Sequence, residues 1–176
     1  MTSKLHRTRI TPVLAALVVA AASPAVAYAE AAPVPSASAR SAPVPSVGDR
    51  LTARSMKFEV DKDGDYRVAY RYAKQNRTQL VYIAGATEEV HGLIVRRIFA
   101  PAAIVAKAPL DATRMQMMLE DAGGSKLGGW EVRGGVLYYA IKLPEPVTAD
   151  LLETAMDIAA ESADDMELTL TGRDDL

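Results

Sequence analysis

Cysteine is absent from the 176 residues of this chain. That absence excludes disulfides, cysteine-ligated metal sites and a lipid-modified cysteine anchor. Histidine occurs twice, at His6 and His91, too rarely for a multi-histidine zinc site. No apolar run approaches the roughly 20 residues that a membrane-spanning helix needs; the ten residues from Val13 to Ala22 come nearest. No Gly-Lys-Ser/Thr ending marks a phosphate loop, and no nucleophile elbow supports a serine–histidine–acid triad. Positive charge is nearly missing from residues 144–176, where Arg173 stands alone against ten acids.

The start of the chain has the three parts of a secretory signal. Lys4, His6, Arg7 and Arg9 are basic, the apolar run follows, and Ser23-Pro24-Ala25-Val26-Ala27-Tyr28-Ala29 ends it with small residues. Thr8 separates Arg7 from Arg9, so there is no twin-arginine pair. Residues 1–29 read as a cleavable signal peptide cut between Ala29 and Glu30. The expected location is periplasmic or secreted, with no membrane anchor after cleavage. The mature chain then carries 17 basic and 22 acidic residues, which argues against nucleic acid as a partner. Its charge is uneven: residues 30–143 have a net of +4 and residues 144–176 a net of −9. An acidic helix face packed beside a mildly basic sheet accounts for this, and a surface for a basic partner or a cation is the functional counterpart.

Residues 30–47 are rich in Ala, Pro and Ser, and Ala32-Pro33-Val34-Pro35-Ser36 returns as Ala42-Pro43-Val44-Pro45-Ser46. Such a segment is expected to be a disordered, extended spacer. One domain, residues 48–176, follows. A short helix is expected over 48–55, with Leu51 and Met56 facing inward. Residues 57–60 and 66–72 alternate as strands, Phe58 sharing a face with Val60, and Tyr66 with Val68, Tyr70 and Tyr72. Asp61-Lys62-Asp63-Gly64-Asp65 between them is a hairpin signal, because Gly accepts positive φ freely. Gln75-Asn76-Arg77 suggests a turn. Residues 78–84 and 93–99 are further strands, with Gly85 ending one and Pro101 closing the other.

Asp111 is placed to cap a helix over 112–122 with Met115, Met118, Leu119 and Ala122 as its apolar stripe, ended by Gly123-Gly124. Residues 129–133 and 136–143 form a second hairpin around Gly134-Gly135. Thr148 caps the strongest helix, from 149 to about 163. Leu152, Ala155, Met156, Ala159 and Ala163 line one face, and Asp150, Glu153, Asp157, Glu161 and Asp164 the other. Residues 166–170 continue either as a short strand or as helix. The sum is an α+β domain: an antiparallel sheet of five to six strands with two to three helices packed on one face.

On four features the chain resembles the YbjN-like domain, which shares its fold with type III secretion chaperones. They are the Phe58-x-Val60-Asp61-x-Asp63-Gly64-Asp65-Tyr66 hairpin; Met118-Leu119-Glu120 in a helix ending at Gly124; Gly129-Trp130-Glu131-Val132 leading to Leu143-Pro144; and Ala160-Glu161-Ser162-Ala163-Asp164 followed by Glu167-Leu168 and Gly172. The likeness spans residues 55–174. It implies chaperone-like capture of a protein segment or a regulatory role, and brings no catalytic residues.

Asp61, Asp63 and Asp65 are the nearest approach to a metal motif. An EF-hand loop wants acids at one, three and five, Gly at six and Glu at twelve; here Gly64 falls at four, Tyr66 at six and Tyr72 at twelve. A structural turn is the plainer reading, and the three aspartates stay as candidate cation ligands. His91, in Glu88-Glu89-x-His91, reads as a surface residue. Lys126 between two glycine pairs reads as a loop. Tyr66, Tyr70, Tyr72 and Tyr82, with Arg67, Arg71 and Arg77 near them, are the candidate partner-binding residues if exposed; if buried, they lie under the helices with their hydroxyls at the rim. Met115, Met117 and Met118 read first as core. No cofactor is expected. The leading expectation is a non-enzymatic exported protein-binding or chaperone-like module, with a protein partner or homodimer. It uses the tyrosine face or a free strand edge. The competing reading is an envelope enzyme, hydrolase-like, using Asp61, Asp63 and Asp65 or His91.

Overall fold

The structure, a computed structural model, describes residues 44–176 except 74, 75 and 126. The segment read as a signal peptide, most of the expected spacer, Gln75 of the expected turn and Lys126 lie outside the described residues.

Among the described residues the domain is α+β, with seven antiparallel strands and three helices. Helix α1 spans Val47–Ala53. Ser46 is its N-cap: the Ser46 hydroxyl accepts from the Asp49 N–H at 3.1 Å, and the Asp49 carboxylate accepts from the Ser46 N–H at 3.0 Å. This reciprocal box satisfies two otherwise orphaned donors. Ser46 and Val47, which the sequence reading leaves in the spacer, therefore belong to the folded domain. Strands β1 (Glu59–Val60), β2 (Tyr66–Tyr72), β3 (Arg77–Ile83), β4 (Glu88–Val90) and β5 (Leu93–Ile104) follow. Then come α2 (Ala112–Gly124), β6 (Gly129–Arg133), β7 (Val136–Pro144) and α3 (Ala149–Thr171). The sheet order is β1-β2-β3-β5-β7-β6, with β4 paired to β5 off that path.

Side chains directly opposite across a ladder share a face. The register aligns Val68 with Val81, Ile83 with Ile98, Ile98 with Ile141, and Ala100 with Tyr139. All of these are buried, and they meet Leu152, Ala155, Met156, Ala159, Ala160 and Ala163 of α3 in one core. Helix α3 packs on β3, β5 and β7; α1 packs on α3, and α2 on β6. One face of the sheet is thus covered by helices. The opposite face carries Tyr82, Phe99 and Tyr138.

One strand is added and three local expectations are corrected. Residues 88–90 form β4, a strand added to the expected five or six, because His91 and Gly92 (φ +50° and +82°) turn the chain tightly into β5. Pro101 does not close its strand. β5 runs through it to Ile104, with a bulge between Pro101 and Ala103, where a residue lacking an N–H is tolerated. Helix α3 continues as helix to Thr171, and Asp164, expected on its solvent face, is only 4% exposed. Of the α2 stripe, Met118 is buried while Met115 and Leu119 are 48% and 75% exposed.

The Asp61–Asp65 turn joins β1 to β2 as the Asp-Gly signal implies. Gly64 has φ +84°, and the Asp61 N–H donates to the Asp65 carbonyl at 2.9 Å. Gly85 packs flat on this turn: a Cβ there would lie 2.0 Å from the Gly64 carbonyl oxygen.

Candidate functional site

The four candidate tyrosines do not form one surface. Tyr66, Tyr70 and Tyr72 stand on the helix-covered face in register with Ile83, Gln79 and Arg77. Tyr66 packs against Phe58, ring centroids 5.5 Å apart. The Tyr70 hydroxyl donates to the Asp157 carboxylate at 2.8 Å. Burial, then that carboxylate, holds its pKa far above the ordinary phenol range. The Tyr72 hydroxyl is pushed up to about 12 by burial and by Asp164, Glu161 and Asp165. These three therefore lie under the helices; Asp157 holds the Tyr70 hydroxyl, whereas the Tyr72 hydroxyl is buried without a hydrogen-bond partner among the described residues.

Tyr82 is on the opposite face, stacked on Phe99 (centroids 5.3 Å, planes 13°), which meets Tyr138 edge-on at 5.5 Å. The Arg97 guanidinium lies 4.3 Å above the Phe99 ring and donates to Glu131 at 2.9 Å. These side chains floor an open trough of about 540 Å³, walled further by Leu80, Ile104 and Val136 and rimmed by Asp61, Asp63, Asp65, Arg133, Asp175 and Leu176.

The three aspartates are held by the turn. Asp61 Oδ1 accepts from the Asp63 and Asp65 N–H groups at 2.9 and 3.0 Å. Asp65 Oδ1 accepts from the Gly85 N–H at 3.0 Å, and Asp63 pairs with exposed Lys62. Among the described residues no three His, Asp or Glu side chains are grouped to hold a metal ion. His91 sits exposed at the β4–β5 turn.

A second feature lies at the sheet edge. β6 pairs only with β7, and α2 runs beside it. Trp130 of β6 fixes the helix: its indole N–H donates to Asp121 at 2.7 Å, and its ring meets Tyr139 edge-on at 5.0 Å. Between helix and strand is an apolar groove of about 220 Å³, lined by Leu110, Met115, Met118, Leu119, Val132 and Leu137 among others. Val132 is 56% exposed on its floor. Two other edges are open: β1 is two residues long and ends at Asp61-Lys62-Asp63, and β4, paired only to β5, is three residues long and carries Glu88 and Glu89. Short, charged edges of that kind discourage strand pairing; β6 is longer, at five residues, and although it carries Glu131 and Arg133 its helix-side flank is apolar. Met115 and Leu119 were visible in the sequence as a stripe; their place beside an open edge was not.

Sequence reasoning also missed a buried ion cluster. Glu145 Oε2 and Oε1 accept from Arg50 at 3.0 and 3.1 Å, Oε1 accepts from Arg96, and Oε2 from the Val147 N–H at 2.9 Å. Burial alone would raise the Glu145 carboxyl, but the two arginines and the Val147 N–H outweigh it and hold the pKa down at about 2. The cluster ties α1, β5 and the β7–α3 connection together. Arg77 likewise pairs with buried Asp164 at 2.7 Å.

Comparison of the chain with protein-family models, with curated proteins and with solved structures finds no match.

Proposed function

We propose that the mature protein is a non-enzymatic, exported protein-binding module of YbjN-like, secretion-chaperone-like character, and that it captures an extended partner segment along β6. One observation carries this reading: an unpaired strand edge stands directly beside an apolar groove. A segment laid along β6 gains backbone hydrogen bonds, and its alternate side chains enter the groove between α2 and the strand. The exposed Leu119, Val132 and Met115 supply the apolar contact that a solvent-facing helix and edge do not otherwise need.

The test is recovery of a partner from envelope extracts with residues 44–176 as bait. Val132→Lys places a charge on the edge, and Leu119→Glu places one in the groove. Both positions are exposed, so the fold is expected to survive. Loss of the partner with both variants supports the reading. Undiminished recovery by both, or no partner with the unaltered bait, overturns it. Export is tested separately by sequencing the N-terminus of the released protein, which is expected to begin at Glu30.

A further inference from the structure

The acids on the outer side of α3 are matched unevenly. Toward its start, Arg54 pairs with Asp150 and Glu153, and the Tyr70 hydroxyl donates to Asp157. Further along, exposed Glu161 makes no ion pair among the described residues. The Asp165 side chain is 80% exposed, and Arg77, held by Asp164 at 2.7 Å, lies 3.9 Å from it. Like charges four residues apart on a helix repel each other. Their field reaches Tyr72: burial first, then Asp164, Glu161 and Asp165, raise its hydroxyl, and Arg77 offsets only part of that.

Glu161 and Asp165 edge an open cleft of about 400 Å³ between α3 and α2. Asp121 of α2 brings a third carboxylate, and Met117, Met166 and Trp130 bring apolar and aromatic surface. Met166 is buried, while Met117 and Trp130 are half-buried against the core, and the Trp130 indole is oriented by its bond to Asp121. No lysine or arginine lines the cleft among the described residues. Two thioethers and an indole do not suit a hard metal ion, which surrounds itself with oxygen ligands. They suit a long aliphatic stem with a cationic head. The stem lies along the adaptable methionine surface, the head meets the carboxylates, and the indole attracts the same charge.

We propose that the α2–α3 cleft is a second binding site, for lysine or arginine side chains on a basic segment of a partner protein. Carboxylates from two helices fix the head, and Met117, Met166 and Trp130 discriminate by the length of the stem. The site lies on a different side of α2 from the β6 groove, whose lining is Met115, Met118 and Leu119.

The experiment reads the fluorescence anisotropy of a labelled synthetic peptide of alternating lysine and serine as the protein is added. The double variant Glu161→Gln, Asp165→Asn is expected to bind about tenfold more weakly. Glu88→Gln with Glu89→Gln removes the same charge from β4 and is expected to change binding by less than about twofold. A peptide with diaminobutyrate in place of lysine keeps the charge on a shorter stem and is expected to bind about fivefold more weakly. Equal losses in the two double variants, equal binding of the two basic peptides, or no binding of the lysine peptide overturns the proposal. All four substituted positions are exposed, so the fold is expected to survive; if the cleft double variant does not fold, Glu161→Gln alone carries the test with the same outcomes. Leu119→Ala, in the β6 groove, is expected to leave peptide binding unchanged, so the cleft and the β6 edge stand or fall separately.

Discussion

Glu145 and Arg54 show how differently two ion pairs can weigh. Arg50 is 4% exposed, and Glu145 is its only carboxylate partner among the described residues. Arg54 pairs with Asp150 at 2.9 Å and with Glu153, in largely exposed positions. Removing one partner of a buried pair leaves an uncompensated charge and costs about 3–5 kcal/mol, whereas an exposed pair contributes at most about 1 kcal/mol. Glu145→Ala is therefore expected to lose about 3 kcal/mol in urea unfolding, and Arg54→Ala less than about 1 kcal/mol. Equal losses would mean that the buried cluster has no special weight.

Titration at the same residues gives a second prediction. The Glu145 pKa is held near 2, below its ordinary 4.5. Its stabilisation is full above the ordinary value and is lost as pH falls from 4.5 toward 2. Asp164 and Glu167 behave in the opposite sense. Burial raises both; at Asp164 it outweighs the Arg77 guanidinium, and at Glu167 it outweighs the backbone N–H bonds. They hold protons more tightly folded than unfolded, so their contribution grows as pH falls through their raised values toward the ordinary carboxylate range. Stability is expected to rise on mild acidification and then fall below pH 4.5. Glu167→Gln should flatten the first limb, and Glu145→Gln the second. A stability that only declines from neutral pH downward would contradict the assignment of Asp164 and Glu167.

At the scale of elements, α2 shows where sequence stops informing structure. A 3.6-residue period identifies which side chains share a stripe. It does not say how much of the stripe a neighbour covers. The helix sits over β6, the last strand of the sheet, so Met118 reaches the core while Met115 and Leu119 overhang the edge. Met118→Ala is expected to cost about 2–4 kcal/mol and Leu119→Ala under about 0.5 kcal/mol, read from urea midpoints. A large loss at Leu119 would show that the groove is closed in solution. Helix α3 takes the helical one of the two continuations left open for residues 166–170, and its buried acids have a related cause. Asp164 and Glu167 look like solvent residues by type, but Arg77 and the Asp175 N–H partner them inside the fold. Long-range partners of that kind leave no local signal. The Asp61–Asp65 turn and the Thr148 cap were legible because they depend on residues within a few positions of one another.

For the domain as a whole, the charge asymmetry of the chain is largely settled internally. The acids beyond residue 144 meet the basic or polar groups before it: Glu145 with Arg50 and Arg96, Asp157 with Tyr70, Asp164 with Arg77, and Asp174 with Thr78. What is left for outside partners is set by the sheet's borders. Strand order decides those borders, and no local pattern in the sequence specifies which strand stands last. β1 and β4 are short and charged, whereas β6 is five residues long with an apolar flank. A sheet with one receptive edge accepts one added strand, so association through it closes instead of propagating. Sedimentation of residues 44–176 over rising concentration is therefore expected to show nothing larger than a dimer, and Val132→Lys is expected to shift any dimer to monomer. Species that grow without limit would mean that β1 or β4 also accepts a strand, and a dimer indifferent to Val132→Lys would place self-association elsewhere than β6.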